Sequence, residues 1–301
     1  MKTSDPGRKP TVAIIGAGRL GQAFAIALQL SGYPILALVA RHRHKAERAA
    51  AIFRKPKPRA VAANQLAELP DSDLILIATP DDVIAATAEK LSDVLHGDGR
   101  RSILHTSGAL SSEVLAPLRE KGFQTGSIHP LVSISEPVAG AAALKNAFFC
   151  LEGTRQARVV AETIVRDLGA TSFTIKPESK ALYHAAAVMA SPHLTALVDI
   201  ALQTLAACGL SKRKAQQVFL PLLKSTVNNL GTATPQQALT GTFARGDIAT
   251  VRQHLQALSR KELDEGLEVY KLLGLHSLEL AEKNGLDSKR VKQIRKLLGS
   301  A

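Results

Sequence analysis

The chain has 301 residues, 46% of them hydrophobic, and carries 38 Lys and Arg against 26 Asp and Glu, a net charge of +12. That length suffices for two domains of ordinary size, each with a real core. The excess charge is scattered over 41–48, 54–59, 212–214 and 289–296, with no aromatic residues interleaved to stack bases, which excludes a nucleic-acid partner from the reading.

Residues 1–10 read as a polar, flexible leader without the apolar segment of a secretory signal. No apolar run approaches the ~20 residues of a membrane span, so no membrane partner is expected. Cys150 and Cys208 lie in apolar surroundings, with no metal-ligand partner at close spacing. They read as buried free thiols of a cytoplasmic protein without a metal site.

From residue 11 the chain alternates strand and helix. The first strand, Val12 to Ile15, ends in Gly16-Ala17-Gly18-Arg19-Leu20-Gly21, and a helix follows to Leu30. Gly16 permits the tight turn, Gly18 lets backbone approach a pyrophosphate, and Gly21 lets helix and strand pack closely. Arg19 and Leu20 occupy the first helical turn, whose unpaired N–H groups favour an anion. The pattern points to a dinucleotide. A second strand spans 35–40, and no carboxylate stands at its end. Arg41 and Arg43 stand there instead, suited to a 2′-phosphate, which favours NADP (NADPH) over NAD.

A helix is expected at 45–53, a short strand at 61–62 and a helical turn at 64–69. A buried strand at 73–78 leads to Thr79 and Pro80, expected to line the cofactor, and to a helix reaching about residue 95. Strands at 102–105 and 126–129 flank a helix at 111–121. A further strand–helix–strand unit covers 147–151, 155–168 and 172–175. Beyond Pro177 only helical periods remain, at 179–208, 212–230, 248–258 and 263–284. The expected architecture is therefore α/β. A mostly parallel, dinucleotide-binding domain over 11–177 precedes an all-α substrate or dimerisation domain over 178–301.

Polar residues that suit chemistry fall in four stretches: His105-Thr106-Ser107-Gly108, Ser127-Ile128-His129-Pro130, Lys180-Ala181-Leu182-Tyr183-His184 and Ser191-Pro192-His193. Hydride transfer to a carbonyl or imine needs a proton donor, and histidine and lysine titrate where such a donor works. His129 is the expected acid–base group, with Ser107 orienting the reacting atom. Lys180 and His184 share a helix face at i and i+4 and are expected to line the substrate side, binding an anionic group or relaying a proton.

The combination of Val-Ala-Ile-Ile-Gly-Ala-Gly-Arg-Leu-Gly, His-Thr-Ser-Gly, Ser-Ile-His-Pro-Leu, Ala-Leu-Tyr-His-Ala-Ala-Ala-Val-Met-Ala-Ser, Phe243-Ala244-Arg245-Gly246-Asp247 and Val251-Arg252-Gln253-His254-Leu255 resembles a family of oxidoreductases. That family joins a Rossmann-like domain to a helical C-terminal domain of unknown function. It is similar in design to pyrroline-5-carboxylate reductases, ketopantoate reductases and 3-hydroxyacid dehydrogenases. The resemblance implies an NADP site in the first domain, a small-molecule substrate in a cleft between the domains, and a homodimer built through the helices. Prephenate dehydrogenases are similar in placing a serine after one strand and a histidine downstream facing the nicotinamide, as Ser107 and His129 would. The chain departs from 3-hydroxyacid dehydrogenases, which follow their catalytic lysine with asparagine one turn later, because here His184 follows Lys180. The expected function is an NADP-dependent oxidoreductase acting on a small carbonyl, imine or hydroxy compound. The alternative is a non-catalytic NADP(H) sensor.

Overall fold

A computed structural model describes residues 8–53 and 56–299. The expected leader falls outside the described residues over 1–7, as do Arg54 and Lys55 of the basic stretch. The chain divides into two compact units, Met1–Met189 and Ala190–Ala301.

The first unit contains β1 (Val12–Ile15), α1 (Arg19–Leu30), β2 (Ile35–Ala40), α2 (Arg43–Ala51), β3 (Arg59–Ala62), β4 (Leu74–Ile77), α3 (Asp81–Val94) and β5 (Ser102–His105). It continues with α4 (Ala116–Glu120), β6 (Gln124–Pro130), α5 (Pro137–Leu144), β7 (Phe148–Gly153), α6 (Arg155–Asp167), β8 (Thr171–Thr174) and α7 (Lys180–Ala190). The eight strands form one sheet in the order β3-β2-β1-β4-β5-β6-β7-β8. All neighbours pair in parallel except β6 and β7. Strands β1 and β4 are buried along their whole length, as central strands covered on both faces must be. One apolar layer packs Val12, Ile14 and Leu76 under α1 and α6, and the other packs Ala13, Ile15 and Ile77 under α3 and α4.

Register fixes what meets at the carboxyl edge. Ile15, Ile77, His105, Ser127 and Glu152 form one row across β1, β4, β5, β6 and β7. The glycine loop follows that row on β1, Ser107 follows it on β5, and His129 lies two residues beyond it on β6. Open α/β sheets bind ligands at this edge, where the strand order reverses between β1 and β4.

Three local features differ from the sequence expectation. Helix α5 was not expected, since Pro137-Val-Ala-Gly-Ala-Ala-Ala-Leu144 lacks a polar face. Its start is set by Glu136, whose carboxylate accepts the N–H groups of Val138 and Ala139 at 2.9 and 2.8 Å. Small residues let it press on α1: a Cβ at Gly140 would stand 3.2 Å from the Ala23 Cβ. The helix expected over 111–121 is a 3-10 turn at Ser112–Leu115 followed by α4, because Pro117 has no N–H to continue one helix through it. The long helix expected over 179–208 is broken at Ser191, ahead of Pro192, into α7 and α8. The residue before a proline is pushed out of helical geometry. Even so, 177–206 corrects the membrane-span reading of the sequence. By length and composition this segment contains an 18-residue window apolar enough to cross a bilayer, with a mean hydropathy of 1.5. Its polar residues, among them Ser179, Tyr183, His184 and Asp199, are spaced out among alanines and leucines.

The second unit is helical: α8 (Pro192–Ala206), α9 (Lys212–Thr232), α10 (Pro235–Ala238), α11 (Gly241–Arg245), α12 (Ile248–Leu258), α13 (Asp264–Lys283) and α14 (Ser288–Gly299). Its core joins Val251, Leu278, Val291, Ile294 and Leu298 from α12, α13 and α14. Helix α14 coincides with the basic cluster of 289–296, and its apolar residues recur at i, i+3 and i+7 between the lysines. Helices α8 and α9 expose Leu194, Val218, Leu220, Leu222, Val227 and Leu230.

The glycines separate two physical demands. A Cβ on Gly21 would strike the Gly16 carbonyl, whereas one on Gly18 meets nothing within 4 Å. Gly21→Ala should therefore lower stability by more than about 2 kcal/mol. Gly18→Ala should change it by less than about 0.5 kcal/mol. Urea unfolding of the two variants checks this, and equal losses would contradict it.

Candidate functional site

The glycine loop leaves β1 with Gly16 at φ +108°, and a Cβ there would collide with the Ala78 carbonyl. The N–H groups of Gly16 and Ala17 both donate to the Val39 carbonyl at 2.9 Å, tying the loop to β2. Helix α1 begins at Gly18 without any side-chain cap and with no acidic residue in its first turn. Its first N–H groups thus meet no competing carboxylate, and the space over Gly18 is open. A cleft of about 550 Å³ begins here, within the usual size range of small-molecule sites. Gly16, Gly18, Thr79 and Pro80 line it, as does Arg41 beyond the end of β2. Arg43 does not line it and pairs with Glu47 at 3.5 Å and Glu68 at 3.9 Å. Lys45 and Lys90 do line it. Sequence reasoning missed both, although Lys45 stands four residues after Arg41. Thr79 Oγ1 is buried without a hydrogen-bond partner. These features fit a phosphorylated dinucleotide: an uncapped helix start, an open glycine, three cations and an unpaired hydroxyl.

Next to the cleft along the sheet edge lies a polar cluster. His105 is fully buried. Its Nδ1 accepts the Ser107 N–H and its Nε2 donates to the Ser111 carbonyl, both at 3.2 Å. Burial, with help from Lys180, pushes it down to about 3, so it is a neutral structural histidine. Ser107 Oγ donates to Asp81 at 2.8 Å and accepts the N–H groups of Ala109 and Leu110 at 3.1 and 3.0 Å. Its one proton and both lone pairs are spent within the protein. Ser107 therefore holds its own loop against α3.

Lys180 turns inward from the start of α7 and is 1% exposed. Its ammonium donates to the Ser107 carbonyl and to Ser127 Oγ, both at 3.0 Å. Burial lowers the lysine, and the nearby Cys150, Glu152 and Asp81 pull it part-way back. With that placement its ammonium reaches no solvent-facing surface and lines no substrate side.

Lys180, Tyr183 and His184 share one face of α7, and this brings His184 to His129 with ring centroids 5.6 Å apart. The backbone of Gly108 fills the gap between them: a Cβ there would stand 2.8 Å from His129 Nε2 and closer still to His184 Nδ1. His184 Nδ1 is buried without a partner. Sequence reasoning missed Tyr183. Its hydroxyl lies 2.7 Å from His129 Nδ1, and its i+3 spacing from Lys180 was the available signal. Cys150 pairs across the sheet from His129. Burial, then Lys180 and His184, push His129 down to about 4, so the half-buried ring is neutral near pH 7. Ser191 lies at the helix break and His193 is exposed on α8. Among the described residues no group of His, Cys, Asp or Glu is arranged to hold a metal.

Residues 4–130 match the family model of a Rossmann-like domain. Residues 147–277 match a domain of unknown function, DUF2520. The two matches follow one another along the chain, a Rossmann-like domain and then DUF2520. Among solved structures it is similar to protein TM1727 from Thermotoga maritima, with 24% identity over 91% of this chain and 99% of that one, at a TM-score of 0.68. A candidate NADP oxidoreductase from Bacteroides fragilis, BF3122, shares 22% identity over 90% and 98%, at 0.72. A pyrroline-5-carboxylate reductase from Coxiella burnetii shares 15% over 98% and 100%, at 0.56. At these identities the likeness establishes the fold. No curated protein matches the chain significantly.

The lowered histidines carry a pH signature. Unfolded, each binds a proton near 6.5, whereas in the fold His129 binds one only near 4 and His105 only near 3. Between those limits the unfolded chain holds more protons. Stability should be fully present above pH 6.5 and fall on acidification, by on the order of 2 kcal/mol per histidine. Melting temperature against pH checks this, and His129→Gln should flatten the slope between pH 6.5 and 4.

Proposed function

We propose that the chain is an NADP-dependent oxidoreductase acting on a small carbonyl, imine or hydroxy compound. One observation carries the reading. The glycine-loop cleft and the His129 cluster stand at the carboxyl ends of neighbouring strands, β1 and β4 for one and β5 and β6 for the other. The names of the Bacteroides and Coxiella proteins, an NADP oxidoreductase and a reductase, support it.

Gly16, Gly18, Arg19, Leu20 and Gly21 would hold the pyrophosphate on the start of α1, with Thr79 and Pro80 along the cleft. Arg41 and Lys45 would hold a 2′-phosphate, and Arg43, committed to Glu47 and Glu68, would support them from behind. When bound, the nicotinamide supplies or takes a hydride. His129 exchanges the accompanying proton at Nε2, which makes no hydrogen bond to the described residues. His184 stands beside it to relay that proton. Ser107 and Lys180 keep the β5 loop in place, so that Gly108 spaces the two imidazoles. We further propose a homodimer through α8 and α9, which expose leucine and valine side chains along their length.

Arg41→Ala should weaken NADPH binding roughly tenfold or more, the worth of one charge-assisted phosphate contact. NADH binding should change little. Fluorescence titration of both nucleotides checks this, and equal weakening would remove the 2′-phosphate assignment. His129→Ala should cut turnover of any substrate found by screening roughly 100-fold or more, while leaving NADPH affinity intact.

A further inference from the structure

The glycine-loop cleft gathers positive charge without a counter-charge. Arg41, Lys45 and Lys90 line it, and among the described residues no carboxylate does. None of the three has an ion pair with a described residue. Neighbouring arginines are treated differently. Arg43 meets Glu47 and Glu68, and Arg59 meets Glu68 at 3.0 Å. Acids thus stand around the cleft, and they pair the cations that do not line it. Three like charges left together repel one another, and an anion entering the cleft relieves that repulsion.

Lys90 comes from a wall of its own. Arg41 follows β2, and Lys45 lies four residues later in the first turn of α2. On α3, Val83, Ala86, Thr87 and Lys90 form one stripe along the cleft at i, i+3, i+4 and i+7. The first three give a ligand no charge: Val83 and Ala86 are apolar, and the Thr87 hydroxyl donates to the Val83 carbonyl at 2.8 Å. Lys90 is the one charged residue that α3 gives to the cleft. Seven residues of helix set it about 10 Å along the axis from Val83, away from the glycine loop. Helical side chains lean toward the N-terminus, and one turn back stands Ala86, whose methyl group leaves room for the lysine stem. The ammonium is therefore held along the cleft instead of off its end.

We propose that Lys90 determines which dinucleotide the cleft accepts: together with Arg41 and Lys45, it binds the 2′-phosphate of NADP(H) from the α3 wall. This deepens the reading of the cleft as an NADP site and rests on it. A phosphate monoester near pH 7 carries about −1.5 to −2 charges over three oxygens, enough to engage cations from two walls at once. In that reading the pyrophosphate takes the N–H groups at the start of α1 and makes no demand on Lys90. NAD(H) has a hydroxyl in place of the 2′-phosphate and would leave all three cations uncompensated. Discrimination then comes from their mutual repulsion as well as from the phosphate contact.

Two fragments that lack a nicotinamide test this on the full-length chain. Adenosine 2′,5′-bisphosphate is the adenosine end of NADP, and 5′-AMP is that of NAD. In calorimetric titrations the wild type should prefer the bisphosphate, and added salt should erode the preference. Lys90→Met should weaken bisphosphate binding roughly fivefold or more, and 5′-AMP binding by less than about twofold. Lys90→Arg keeps the charge and should restore most of the loss. Lys90 is exposed, so the substitutions should leave folding intact, as melting curves will show. A Lys90→Met chain that binds the bisphosphate as wild type does, or that weakens toward both fragments equally, would overturn the proposal. If Arg41→Ala removes the preference while Lys90→Met keeps it, the Lys90 assignment falls and the NADP reading stands. A wild type that binds both fragments alike defeats the NADP reading, and the Lys90 assignment with it.

Discussion

The structure depends on the register of its parallel sheet. With Ile15, Ile77, His105 and Ser127 aligned in one row, whatever follows each strand emerges at the same edge. The glycine loop, the Thr79–Pro80 turn, the Ser107 loop and His129 are four consequences of one alignment. A slip of one residue in any strand would turn its side chains to the opposite face. The buried apolar runs of β1 and β4 resist such a slip because both faces are packed.

The cost of this arrangement is a set of buried polar groups at the edge, and the fold offsets it by pairing nearly all of them. Both His105 nitrogens, the Ser107 hydroxyl and the Glu152 carboxylate have partners within the protein. Among the described residues Thr79 Oγ1 at the cleft and His184 Nδ1 at the cluster are unpaired, as are Ser102 Oγ and Thr125 Oγ1 within the sheet and Arg158 Nε on α6. A buried polar atom without a partner costs on the order of 1–3 kcal/mol, and such a cost is tolerated where a ligand can supply the missing bond.

Much of the fold was legible in the sequence, because parallel strands buried on both faces read as short continuous apolar runs. The bounds of β1, β2 and β5 follow directly from that signal. Helix α5 was not legible, since eight small and apolar residues show no period and its cap is a glutamate rather than Ser, Thr, Asp or Asn. The break at Ser191 was available from Pro192 but was outweighed by the alanine-rich pattern on either side. At the site, the sequence placed His129, His184 and Lys180 near one another through strand order and helix spacing. It gave no sign that the lysine points inward, because direction depends on packing against Ser107 and Ser127. Nor did it distinguish Arg41 from Arg43, whose difference arises from Glu47 and Glu68 on neighbouring elements.

The proposed function requires the glycine-loop cleft and the His129 cluster to form one site. A crystal structure of the chain with NADPH tests it most directly. The pyrophosphate should lie on the start of α1 over Gly18, and nicotinamide C4 should face His129 with room for a substrate atom roughly 3–3.5 Å away. A nicotinamide directed away from His129, or a dinucleotide bound elsewhere on the chain, would contradict the account.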